Sequence, residues 1–241
     1  MSAAAGPPAT TPAPTPGSVR YFVLLYTPAA RRATLLSLLT LADELGAGLE
    51  RALEHELAHT RLDWWQRELS EHERGVAQHP LLRALREAEA EPDAPVLELR
   101  TLLDAARLDL AEGLLNAGRG ERLRRETFVL AAQALGATSL SSVQREALGA
   151  LGVLALHFER ATTAVPETTT GSALQAAVQR LGGALQPTAA PLLIWVILAA
   201  AHAQRRLSGA SKNRSLLHGF ADNMRAWSAA RRAAQGTLQI R

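Results

Sequence analysis

A chain of 241 residues that is 47% hydrophobic and 20% charged, with a formal net charge of +3, can bury a full core. That excludes global disorder and collagen, and zero cysteines exclude disulfides, thiol nucleophiles and cysteine-ligated metal centres. Lys212 is the only lysine among 26 basic residues, a skew that reads as GC-rich coding rather than selection for phosphate, so no nucleic-acid partner is expected.

The charge is uneven. Up to Leu110, 11 arginines face 16 acids; beyond it, 15 basic residues face 7 acids. From Arg205 to Arg241 the only acid is Asp222, and this basic C-terminal region reads first as a solvated face, with a peripheral contact to an anionic membrane surface as the alternative.

In chain order, residues 1–17 form an uncharged Ala/Pro/Thr tract that reads as a disordered leader with no signal-peptide character, ahead of one helical domain over 18–241. Thr27-Pro28 reads as an N-cap with proline at N1, opening a helix through Leu35, Leu38, Leu39, Leu41 and Leu45 that Gly46 and Gly48 stop. A second helix is predicted from Leu49 to Glu73. A third opens at His79-Pro80 and dissolves in the acidic stretch from Glu87 to Asp93. Leu99 to Leu110 marks a fourth and Leu123 to Leu135 a fifth, closed by Gly136. Ser141 or Ser142 opens a sixth that reaches Arg160. After a loop over Ala161 to Gly171, helices near 172–185, 189–208 and 213–235 complete the chain. No stretch alternates polar and apolar residues, so the fold class is all-α, an orthogonal bundle of about nine helices. Pro191 to Ala201 is continuously apolar but too short to span a bilayer of about 30 Å, and reads as the central helix of the bundle.

His55-Glu56-Leu57-Ala58-His59 matches H-E-x-x-H, which sets two imidazoles on one helical face beside a carboxylate that could activate a zinc-bound water. Arg61 stands where a zincin has an apolar residue, and Asp63 lies two turns beyond His55, out of reach of an ion held by both histidines. Zinc at His55 and His59 is therefore not expected; a zinc-dependent hydrolase is the remoter alternative.

Three segments carry a resemblance. Arg20-Tyr21-Phe22, followed by Pro28 and Arg31-Arg32-Ala33, leads into the first long helix. Arg61-Leu62-Asp63-Trp64-Trp65-Gln66-Arg67-Glu68-Leu69 matches an R-L-x-W-W-x-x-E-L pattern. His79-Pro80 opens the next helix. Together they resemble the squalene/phytoene synthase family of all-α, trans-isoprenyl diphosphate synthases, with fainter similarity over Leu103 to Leu110, which includes Asp109, and Pro191 to Leu207. The resemblance implies an isoprenoid-synthase-like fold and, in active members, head-to-head condensation of two prenyl diphosphates. That reaction uses Mg²⁺ held by two aspartate-rich helical motifs.

Reading forward from Pro28, the first motif falls on Gly46-Ala47-Gly48-Leu49-Glu50, leaving a degenerate acidic set of Asp43, Glu44 and Glu50. The second should lie around Leu154 to Arg160, where no aspartate stands; no two of the six aspartates in the chain are four apart. The pattern is similar to a branch that keeps the helical shell and loses the aspartates, including assembly factors for respiratory complex I. The expectation is accordingly a cytoplasmic or membrane-associated pseudoenzyme without cofactor, binding an isoprenoid, another lipid or a protein partner. Arg31, Arg32 and Arg160 are the phosphate-binding candidates, and Arg61, Trp64, Trp65 and Glu68 are the family-segment residues. The alternative is an active, Mg²⁺-dependent prenyltransferase.

Overall fold

The computed structural model describes residues 13–50, 55–90, 95–112, 120–161, 167–207 and 216–238, leaving aside the side chains of 48, 50, 55, 167–171 and 216–218. Among the described residues there are ten helices and no strand: α1 (Val19–Leu25), α2 (Ala29–Glu50), α3 (His55–Glu73), α4 (Pro80–Glu89), α5 (Arg100–Glu112), α6 (Glu121–Ala134), α7 (Ser142–Arg160), α8 (Glu167–Leu181), α9 (Gln186–Leu207) and α10 (Leu216–Ala234). The leader up to residue 12, the acidic stretch at 91–94 and residues 162–166 of the loop after Ala161 lie outside the described residues, while 167–171, expected as loop, already belong to α8.

The helix missing from the sequence reading is α1. Ser18 caps it, its hydroxyl accepting from Tyr21 N at 3.1 Å, and Phe22 and Val23 are buried. Thr27 does not cap α2; its hydroxyl turns back to donate to Val23 O at 2.8 Å, and α2 begins at Ala29. Nor do the glycines stop α2, which runs through Gly46 to Glu50. Gly46 keeps a helical backbone, whereas the glycines that do end helices, Gly75, Gly136, Gly182 and Gly236, all have positive φ. His79-Pro80 opens α4 as expected, with proline at the helix start. Ser141 and Gln144 form a reciprocal capping box at the start of α7.

Helix α9 is the axis of the core. It packs against α1, α6, α7 and α10, and Leu192, Leu193, Ile194, Trp195 and Val196 are buried. It is the one described helix long and apolar enough to cross a membrane, yet 67% of its most apolar window is buried against neighbouring helices. A helix apolar all round is stable in water only when others cover it, and here they do. Around it, α6 packs on α7 and α5, α2 on α4, α5 and α6, and α3 on α4 and α5. The α6–α7 crossing is close: a Cβ on Gly152 would lie 2.6 Å from Arg124 O.

Buried polar groups staple the ends of these helices. Asp109 on α5 accepts from Arg122 N and Leu123 N at 3.3 and 2.9 Å, filling the orphan amides at the start of α6. Gln186 Oε1 accepts from Leu238 N at 3.0 Å and ties the C-terminal turn to the start of α9.

Candidate functional site

A cavity of about 290 Å³ opens between α2, α6, α7 and α9, with Arg20 of α1 at its edge. Helical periodicity assembles it. On α2, Leu39, Ala42, Asp43 and Gly46 recur at i, i+3, i+4 and i+7 and so share one face. Leu123, Arg124 and Thr127 come from α6, Leu156 and Arg160 from α7, and Trp195 from α9. Gly46 faces the space without a side chain; a Cβ there would meet Leu123 Cδ2 at an ordinary 3.5 Å.

The polar wall is dominated by guanidinium groups. Arg20 pairs with Asp43 at 2.6 Å, and Arg124 pairs with Glu159 at 2.8 Å. The other oxygen of Glu159 accepts from Trp195 Nε1 at 2.6 Å. Arg20 and Arg124 lie on the Trp195 ring, their Cζ atoms 5.9 and 5.4 Å from its centroid, and Phe128 packs on the same indole. Arg160 lies by Gly120, where a Cβ would come within 3.4 Å of its Nη2. Gly120 has φ of +84° and precedes α6, a conformation that suits glycine, and a side chain there would crowd the guanidinium. Among the described residues, three cations and one acid, Asp43, thus surround a small, half-apolar space.

Of the phosphate candidates, Arg160 lines this cavity and Arg31 and Arg32 do not. Arg32 instead donates from Nε to Thr27 O at 2.9 Å and from Nη2 to Leu25 O at 3.3 Å, satisfying carbonyls where α1 ends. In the degenerate acidic set, Asp43 is held by Arg20 and Glu44 by Arg61 at 2.6 Å; the Glu50 side chain lies outside the described residues. Around the expected second motif, Leu156 and Arg160 face the cavity, His157 turns away to Glu121 at 2.8 Å, and Glu159 reaches Arg124 and Trp195.

The family-segment residues sit elsewhere and hold helices together. Trp65 is buried, and Trp64, Trp65 and His79 pack edge to face with centroids 4.9 to 5.6 Å apart. Glu68 Oε2 accepts from His79 N at 3.0 Å and joins α3 to the start of α4. On the zinc pattern, the His55 side chain lies outside the described residues, Glu56 and His59 are exposed, and Asp63 is drawn away to Arg107 at 2.6 Å. His72 is buried and pairs with Glu89 at 3.3 Å. No group of three metal-ligating side chains is found among the described residues.

Sequence reasoning missed Arg20 and Arg124 as cavity cations and Trp195 as their platform. One signal was present: a tryptophan inside a continuously apolar helix still carries an N–H that needs an acceptor, and Glu159 stands on a helix packed against it. Compared with protein-family models, with curated proteins and with solved structures, the chain matches none.

Proposed function

We propose that the cavity binds an anionic amphiphile, an isoprenoid phosphate or diphosphate, and does not transfer its prenyl group. The reading takes the ten helices as an isoprenoid-synthase-like orthogonal bundle whose aspartate-rich walls have been replaced. The observation that carries it is the convergence of Arg20, Arg124 and Arg160 on one space floored by Trp195 and lined by Leu39, Leu123 and Leu156. Guanidinium groups hold phosphate oxygens by charged, bidentate hydrogen bonds, and the leucines suit the first isoprene units.

Two features favour binding over condensation. The cavity lies at the small end of the roughly 300–1,000 Å³ usual for small-molecule sites, enough for the head of one ligand, whereas condensation needs two prenyl diphosphates together. Departure of pyrophosphate also needs its developing charge neutralised, and Asp43 and Glu44, which would hold Mg²⁺ on α2, are already paired with arginines.

The test is isothermal titration of the full chain with farnesyl and geranylgeranyl diphosphate, in Mg²⁺ and in EDTA, followed by lipid extraction. Binding with little Mg²⁺ dependence is expected, weakened about tenfold by Arg160→Ala or Arg124→Ala, since a charged hydrogen bond contributes about 1.5–3 kcal/mol. Absence of binding in both conditions, or a condensed C30 or C40 product, overturns the proposal.

A further inference from the structure

Helix α10 has two apolar faces, of which the fold uses one. At about 100° per residue, Asp222, Ala226, Ala229 and Ala233 share a face and are buried; Ala226 and Ala229 pack against Phe22, Ile194 and Leu198. On the opposite face Phe220, Met224 and Trp227 stand in line, 66%, 44% and 47% exposed. Large apolar side chains grouped at helical spacing in water are more informative than scattered ones. Arg231 continues the same line and lies over the Trp227 ring, its Cζ 5.4 Å from the centroid. Arg225 and Arg232 are also exposed, roughly a third of a turn around the helix from that line, and Arg225 reaches Asp222 at 3.5 Å.

From the charge of this face we infer that α10 docks on an anionic lipid surface, with Phe220, Met224 and Trp227 inserted among the headgroups. The inference stands apart from the cavity reading. Asp222 is the only acid in α10, and it is buried and held by His202, Arg205 and, at 3.5 Å, Arg225, so no acid of α10 lies on the exposed face beside Arg231 and Arg232. A second copy of this chain is a poor occupant, because a symmetric contact would set Arg231 and Arg232 against themselves with no acid of α10 left to pair them. The patch is also far smaller than the roughly 20–30 residues per side of a stable protein interface. An interfacial helix needs much less: a few Trp, Phe or Met side chains at acyl-boundary depth and arginines that reach up to lipid phosphates. Trp227 with Arg231 across its ring has that amphipathic form.

Sedimentation of the full chain with vesicles tests this. Vesicles of phosphatidylcholine alone are compared with vesicles in which about a third of the lipid is phosphatidylserine. At least about tenfold more protein should bind the anionic vesicles, and high salt should release it. Trp227→Ala and Phe220→Ser should each lower binding several-fold with unchanged thermal midpoints, and Arg231→Glu should lower it without removing apolar area. The inference is overturned by equal binding to both vesicle types, by no binding to either, or by binding that all three variants leave intact. A Trp227-dependent dimer in sedimentation velocity without vesicles would overturn it in favour of a second copy.

Discussion

Trp195 Nε1 and Arg124 Nη2 converge on the two oxygens of Glu159, at 2.6 and 2.8 Å, so one carboxylate on α7 locks the indole of α9 and the guanidinium of α6 around the cavity. Glu159 is the sole acid in the stretch where the resemblance expects a second metal-binding motif, and its oxygens are occupied by these donors. Replacing it with alanine leaves the Trp195 N–H without its acceptor and should cost about 1–2 kcal/mol, read as a lower urea midpoint. Glu159→Gln keeps an acceptor for Trp195 but removes the charge facing Arg124. It should therefore destabilise less than alanine while tightening prenyl diphosphate binding a few-fold. An equal loss of stability in both variants would show that the Trp195 bond is not what Glu159 contributes.

The start of α6 depends on Asp109. Burial pushes its carboxyl above the ordinary value, while the backbone N–H groups of Leu123 and Arg122 pull it down. Asp109→Ala removes the cap and leaves two amides without partners, which should cost about 1–3 kcal/mol. Asp109→Asn keeps one acceptor oxygen and relieves the burial of a charge, so it should lose clearly less. Chemical denaturation of the two variants gives the ordering, and the reverse order would contradict the capping role.

Most helices were legible because apolar periodicity and caps agree: His79-Pro80, the serine start of α7 and the continuous run in α9 appear where the residues place them. Seven-residue α1 escaped because so short a helix shows barely two turns of periodicity, and its stability comes from packing on α9. Gly46 misled because a glycine ends a helix only when the chain turns to positive φ there, and tertiary contacts decide that. The site was less legible than the fold. Arg160 could be placed from its helix, but Arg20 and Arg124 meet only through contacts among α1, α6 and α9. The tryptophan pair, the most recognisable feature of the sequence, proves to be a helix junction.

Two glycines give opposite predictions for one substitution. Gly152→Ala drives a Cβ to 2.6 Å from Arg124 O and 3.1 Å from the Phe128 ring, both parts of a packed crossing that cannot yield cheaply. It should cost about 1–3 kcal/mol. Gly46→Ala meets only Leu123 Cδ2 at 3.5 Å and replaces glycine within a helix, so it should stabilise by about 0.4–1 kcal/mol. Differential scanning calorimetry should move the two midpoints in opposite directions, and a loss of stability from Gly46→Ala would mean that α2 is strained at the cavity wall.

The α9–α10 contact should weaken in acid, for a reason visible in one cluster. Asp222 is buried and takes both guanidinium nitrogens of Arg205 at 2.7 and 2.8 Å and His202 Nε2 at 3.0 Å. Burial pushes His202 below the ordinary histidine value, and this outweighs the pull of Asp222 in the other direction. Burial alone would raise Asp222, but its bonds to Arg205 and His202 bring it below the ordinary carboxylate value. Both signs point the same way. The unfolded chain binds a proton at His202 more readily than the folded one, so stability begins to fall as pH drops below about 6.5. The Asp222 contribution is present above about 3.9 and is lost as pH falls through its lowered folded value. Unfolding free energy should therefore be flat near pH 7–8, decline below about 6.5 and decline again in strong acid. His202→Gln should flatten the first decline and leave the second. A stability profile rising from pH 7 to 5 in the native chain, or an unchanged decline in His202→Gln, would remove this cluster as the acid-sensitive point of the fold.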